Sequence, residues 1–320
     1  MGANLVRALL GRGWTVRALV RGDAPSLKDL DVTLIAGDLF GPHLMDAMRG
    51  SDVVFHVAAL YSLWRRDRDA VMRTNVEGTR LVLGAARRAG VTRVVHTSSV
   101  AAIGVRADGE PADETYQSER DALIGAYKRS KYDAECEVRR AIDGGQDIVV
   151  VNPTTPIGPW DAKPTPTGEI LVRFLTGRMP AFVDTGLNLI DVRDVALGHI
   201  LAYERGRTGE RYILGNENLT LHGLLERLAA ITGRAAPTVR LPAAIPLAYA
   251  AVSEFILSPL GFAGDVPFEG VRMSKQRMYY RTAKAETTLG LVPGSVTRAL
   301  RDAVTWFEEN GYLTTSSREK

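Results

Sequence analysis

Tyr127 and Lys131 stand four residues apart in the run Tyr127-Lys128-Arg129-Ser130-Lys131, and their setting constrains this chain more than any other feature. On a helix, positions i and i+4 share one face, a turn apart. Upstream an apolar run ends in His96-Thr97-Ser98-Ser99, and downstream another ends in Asn152-Pro153. The order is strand end with Ser, helix with Tyr and Lys, next strand end. A phenol ionises near ~10 in water, too high for a base at neutral pH. An ammonium beside it favours the phenolate, so the pair suits moving a proton on or off a substrate oxygen. A lone YxxxK arises by chance as solvated charge on a helix; the flanking strand ends are what give it weight.

This arrangement resembles the extended short-chain dehydrogenase/reductase superfamily, the NAD-dependent epimerase/dehydratase family, over nearly the whole chain. The resemblance implies an α/β fold: a Rossmann-type doubly wound parallel sheet with a smaller, mostly helical C-terminal substrate domain. It implies Tyr127 as the acid/base, with Lys131 lowering its pKa and binding the nicotinamide ribose. Ser99, with Ser98 as runner-up, would hold the substrate oxygen and stabilise developing charge. Without the Tyr–Lys pair, two serines after a strand would be a helix cap. The implied cofactor is NADP, with NAD as the alternative, and it would carry the hydride.

Met1 to Leu10 is already helical in pattern, with Leu5, Val6, Leu9 and Leu10 on one face. In the resembled family a strand and a TGxxGxxG loop come first, where backbone N–H groups meet the pyrophosphate. Gly2 matches the third glycine; the first strand and the other two glycines are expected upstream, in roughly ten further residues.

Thr15–Val20, Val32–Ala36, Asp52–Val57, Val91–His96 and Asp147–Val151 read as strands. After the first of these stands Arg21, with Arg17 nearby, where an acidic residue selects NAD and an arginine tolerates the NADP 2′-phosphate. After the second, Asp38 and Leu39 match the adenine site; an Asp there is otherwise a turn former. The third closes on His56-Val57-Ala58-Ala59, small enough at its end for a cofactor to lie against backbone. His56 has no partner at ligand spacing, so a metal is not expected. A long helix, Asp67–Ala89, carries Asn75 in the family's NxxGT, a structural position before a catalytic one. Residues 105–121 read as a loop over the site, and Asn152-Pro153-Thr154 opens a rigid turn to Pro159 that would flank the nicotinamide.

The composition shift at Asp161–Gly168 predicts a domain border. Residues 1–160 form the dinucleotide domain, with 189–215 returning to its sheet, and 161–188 and 216–320 form the substrate domain. Leu219-Thr220-Leu221 opens one helix, Ala283–Leu289 forms another, and Ser295 caps the last; the tail from Thr314 is expected to fray.

Net charge is +3 with scattered Arg residues, which gives nucleic-acid binding no support. One cysteine, Cys136, excludes an intrachain disulfide framework and fits a reducing cytoplasm. The longest apolar stretch, Leu241–Gly264, contains Glu254 and three prolines (Pro242, Pro246, Pro259), and reads as a buried or surface-seeking helix rather than a membrane span. A peripheral membrane contact is an alternative for it. The expected partner is a small-molecule substrate, and a homodimer is one expected assembly.

Local strings (Tyr127–Lys131, Asn152–Pro159, Lys163–Gly168, Asp184–Asn188) resemble the hopanoid-associated sugar epimerase group, close to dihydroflavonol 4-reductases. Typical nucleotide-sugar epimerases carry an Arg-Asp diphosphate grip where this chain has Leu187 and Asn188. A leucine cannot neutralise a diphosphate, so the expected reaction is ketone reduction or carbinol oxidation. Nucleotide-sugar epimerisation is the first alternative, and a non-catalytic NADP-binding sensor or scaffold is the second.

Overall fold

Runs rich in β-branched residues, VVFH, RVVHT and IVVVNP, form the central strands, because such side chains pack well on a pleated surface covered on both faces. The computed structural model describes residues 1–258 and 266–313. Helix α1 (Gly2–Leu10) precedes β1 (Arg17–Val20) and β2 (Thr33–Ala36); α2 (Leu44–Met48) precedes β3 (Val53–His56). Then come α3 (Arg68–Met72), α4 (Gly78–Arg88), β4 (Arg93–Thr97), α5 (Val100–Ile103), α6 (Gly125–Asp143) and β5 (Ile148–Pro153). A second group follows: β6 (Thr155–Ile157), α7 (Pro166–Leu175), β7 (Ala181–Val183), β8 (Gly186–Asp191), α8 (Val192–Arg205) and β9 (Arg211–Leu214). The chain then forms β10 (Glu217–Thr220), α9 (Leu221–Thr232), β11 (Val239–Leu241), α10 (Ala244–Val252), α11 (Phe268–Met273), β12 (Arg277–Met278) and α12 (Val296–Glu309).

The main sheet runs β3-β4-β5-β9, with every neighbouring pair parallel. Alternation divides its side chains. Val94, Ile148 and Val150 pack against α4 and α6, while Val95, Val149 and Val151 pack against α8. β1 and β2 form a separate parallel ladder, β8 is flanked by β10, β12 and β6, and β7 pairs β11. A C-terminal core gathers Phe174, Leu189, Leu224, Leu228, Leu300 and Phe307.

The helix expected over 67–89 runs unbroken in αR backbone as α3, a π-turn at Arg73–Glu77 and α4, with Asn75 buried within the π-turn. Three expectations need correction. The turn after Asn152 is largely strand: β5 continues to Pro153, and β6 pairs β8. The stretch Leu189–Val195 does not return to the main sheet. Its strand part belongs to β8 in the second sheet, and the Asp191 carboxylate then caps α8 by accepting the Arg193 N–H at 2.8 Å; β9 alone returns. The C-terminal part also contributes β10, β11 and β12, all missed in sequence. Thr220 and Ser295 do cap α9 and α12. Pro259–Gly264, the end of the apolar stretch, and the tail from Thr314 lie outside the described residues.

Candidate active site

Helix α6 starts where the chain turns sharply at Gly125, with φ at +85°. A Cβ there would fall 2.3 Å from the Glu269 carboxylate, so only glycine fits. Glu269, on α11, accepts the Ala126 N–H at 3.2 Å, which joins the C-terminal region to the helix start. From here Tyr127, Lys131 and Glu135 follow at four-residue steps along one side. Tyr127 is half-buried; Lys131 and Glu135 are buried.

Ser99 caps α5, its Oγ accepting the Ala101 N–H at 3.1 Å, and its side chain hydrogen-bonds Tyr127. Ser98 faces elsewhere, donating to Glu135 Oε1 at 2.5 Å. Lys131 Nζ donates to the Thr97 carbonyl at 3.0 Å. Burial pushes the Tyr127 phenol up to about 12, with the Ser99 bond opposing it. Burial also lowers Lys131 to about 8, opposed by the Glu135 charge. Here the expectation that Lys131 draws the phenol down is not met. The ammonium is directed at a carbonyl, and loss of water around the phenol outweighs other effects.

Glu135 knits the strand ends together. Besides Ser98, it accepts Asn152 Nδ2 at 2.8 Å and Arg211 Nη1 at 3.5 Å. Asn152 also donates to the Ser99 carbonyl at 3.0 Å. Sequence reasoning missed Glu135 although its helical spacing pointed to it. It also missed Tyr61, whose ring lies 4.2 Å from that of Tyr127, centroid to centroid, and which stays 43% exposed. No sequence signal marks that contact, since it depends on how the loop after β3 folds back over α6.

Arg21, Asp38, Leu39, His56 to Ala59 and Asn152 to Thr154 stand at or just after the C-terminal ends of parallel strands, where open α/β sheets bind ligands, whereas Gly2 opens α1 and Asn75 lies in a helical turn. Gly2 is exposed at the first turn of α1. That helix is tied to the segment after β6 by Asn4, which donates to the Pro159 carbonyl at 3.0 Å, and by Arg7, 3.7 Å over the Trp160 ring. Arg21 and Asp38 are exposed, and Asp38 accepts the Phe40 N–H at 2.8 Å. Leu39 packs against Gly78, where a Cβ would lie 2.9 Å from its methyl.

His56 is buried, its Nε2 3.1 Å from Thr79 Oγ1. Thr79 gives its own proton to the Asn75 carbonyl, so Nε2 is the donor. Val57 is half-buried, and Ala58 and Ala59 are exposed. Asn75 bonds both backbone groups of Leu60 and the Ser130 hydroxyl, so it pins a loop to α6. Pro153 is buried, and Thr154 donates its N–H to the Leu214 carbonyl at 3.0 Å.

These residues fit a nicotinamide dinucleotide. Lys131 retains donors beyond its Thr97 bond, and Asn152 Oδ1 is buried without a partner among the described residues. Ala58 and Ala59 offer an open, small-residue surface. No group of His, Cys, Asp and Glu among the described residues could hold a metal ion, and no helix there is long and apolar enough to cross a membrane.

The fold and this site together define a dinucleotide-dependent α/β enzyme of the extended short-chain type. The chain belongs to the NAD dependent epimerase/dehydratase family, whose model matches residues 1–215. It is 56% identical to a Synechocystis sp. protein named as a candidate dihydroflavonol 4-reductase, over 98% of this chain and 94% of that one. It is 35% identical to sterol demethylase protein B of Methylococcus capsulatus, covering 98% and 97% of the two chains. The solved structure of gox2253 superposes with a TM-score of 0.87 at 43% identity, covering 98% of this chain and 96% of that one.

Proposed function

We propose that this enzyme is an NADP(H)-dependent reductase of a ketone on a weakly charged, largely apolar small molecule, working in reverse as a carbinol dehydrogenase. The observation that carries this reading is the environment of Leu187 and Asn188 on β8. Asn188 is buried, donating to Asn218 Oδ1 at 2.8 Å and accepting the Asn216 N–H at 3.0 Å. Leu187 packs against the C-terminal core. Neither offers a cation to a diphosphate, which would need charge-assisted partners there. On α7, Arg173 pairs with Glu169 at 3.8 Å. The reductase name of the Synechocystis relative supports the same reading, as does the sterol in the name of the Methylococcus one.

In this proposal Tyr127 gives its proton to the developing alkoxide, and Ser99 holds that oxygen by its hydroxyl. Lys131 keeps a positive charge beside the ribose hydroxyls, and Arg21 takes the 2′-phosphate. Asp38 and Leu39 border the adenine, while Gly2, His56 to Ala59, Asn75 and Asn152 to Thr154 shape the rest of the site. The bound cofactor supplies the hydride. Residues 1–160, with β9 (Arg211–Leu214) in the same sheet, serve the cofactor, and the segment that carries β8 together with the region after β9 serves the substrate. A cytoplasmic location fits the single cysteine, Cys136.

Epimerisation is the second reading, favoured by the family's own name. Absorbance at the nicotinamide band separates the two. A reductase consumes NADPH in proportion to product; isomerisation of a nucleotide sugar with no net cofactor consumption would overturn the proposal.

A further inference from the structure

Helix α10 and the π-turn that follows it, Ser253–Leu257, expose Ile245, Tyr249, Val252, Phe255, Ile256 and Leu257 on one segment of surface. Side chains of this kind are ordinarily scattered singly on a protein surface, and their concentration marks an interaction site. Between Leu241 and Ser258 the one charged residue is Glu254. Its half-buried carboxylate is taken up by backbone donors, accepting the Arg65 N–H at 2.9 Å and the Phe268 N–H at 2.8 Å. The one charge between Leu241 and Ser258 is therefore held by backbone donors, and the exposed side chains there are apolar.

The border of that face is basic. Arg65 and Arg66, both exposed, stand on the loop after β3. The Arg65 guanidinium lies 5.3 Å from the Phe255 ring centroid, and that of Arg66 lies 5.0 Å from Trp64. Between them and α10 runs a groove of about 390 Å³ lined by Trp64, Arg65, Arg66, Glu254, Phe255 and Ser258.

We propose that this face docks on an anionic lipid bilayer, with the apolar side chains entering the interface and Arg65 and Arg66 meeting lipid phosphates. An interfacial helix needs an apolar face for insertion and flanking cations for attraction. Trp64 and Tyr249 are the residue types that settle at the headgroup level. A second copy of this chain is the weaker occupant, since two-fold pairing of a patch with itself carries the same rim arginines to both sides of the contact. The loop bearing Arg65 also bears Tyr61, whose ring lies tilted against that of Tyr127 with centroids 4.2 Å apart, so a docked enzyme would hold its active site beside the bilayer.

Sedimentation with phosphatidylglycerol and phosphatidylcholine vesicles tests this on the whole protein, with no need of an activity assay. The wild type binds the anionic vesicles and releases as salt rises from about 0.1 to about 0.5 M. The triple variant Tyr249→Ser, Phe255→Ser, Ile256→Ser binds at least about tenfold more weakly, and Tyr249→Ser alone by a smaller factor, both with unchanged Tm. Arg65→Gln with Arg66→Gln removes the preference for phosphatidylglycerol. No binding by the wild type, undiminished binding by the triple variant, or a wild-type dimer that the triple variant dissolves would each overturn the proposal.

Discussion

The two ends of the nucleotide half of this fold are built differently. Every residue of β5 is buried, as are all but the first of β4, whereas three of the four residues of β2 are exposed. At the β4–β5 end, polar side chains are cross-tied: Glu135 holds Ser98, Asn152 and Arg211, and Thr97 donates to His199 Nε2 at 2.8 Å. At the β1–β2 end, Arg21 makes no bond or ion pair among the described residues, and Asp38 bonds only within its own turn. Proton transfer needs groups held to fractions of an ångström, and in the proposed reading it falls to the buried end. Recognition of the 2′-phosphate falls, in that reading, to the exposed Arg21.

This contrast gives equivalent damage at the two ends unequal consequences. Glu135→Ala orphans two buried donors, on Ser98 and Asn152, so unfolding free energy falls by roughly 2–6 kcal/mol, from about 1–3 for each. Leu34→Ala on β2 shifts it by no more than about 0.5 kcal/mol, as exposed sites do. Urea denaturation of the two variants checks both, and similar losses would erase the distinction.

Tyr127→Phe keeps the ring and removes the proton donor, so turnover falls by about a hundredfold or more. Retention of a tenth of wild-type turnover would remove Tyr127 from the role of acid.

The histidines extend the contrast to acid. Burial holds His56 at about 3 and His199 at about 4, and His96 well below its ordinary value. Their unfolded values lie near ~6.5, so the unfolded chain binds more protons between there and the folded values. Stability is therefore full above about 6.5 and falls as pH drops through that window. Removing one site in His96→Phe should flatten the slope of stability against pH below 6.5, measured by urea denaturation at stepped pH. An unchanged slope would mean that the buried ring takes a proton in the folded state.

Much of this was legible in the sequence because the signals were local. The Tyr127–Lys131 spacing, the serines after β4 and the runs that became β3, β4 and β5 each depend on a few neighbouring residues. Capping by Thr220 and Ser295 was readable for the same reason. What sequence reasoning missed depends on contacts between distant segments. The strands around β8 are short and acquire ladder partners from three other parts of the chain. The upward shift of Tyr127 arises from burial by packed neighbours, which spacing does not report. The π-turn at Asn75 is selected by bonds to Leu60 and Ser130, the latter on another helix.

Titration of NADPH and NADH into the wild type, Tyr127→Phe and Arg21→Ala tests the division of labour most directly. Arg21→Ala should weaken NADPH by roughly 1.5–3 kcal/mol, the worth of a charge-assisted hydrogen bond, and leave NADH almost unchanged. Tyr127→Phe should bind both cofactors as the wild type does. Equal losses for both cofactors in Arg21→Ala, or a large loss of binding in Tyr127→Phe, would contradict the assignment of selection to one end of the sheet and chemistry to the other.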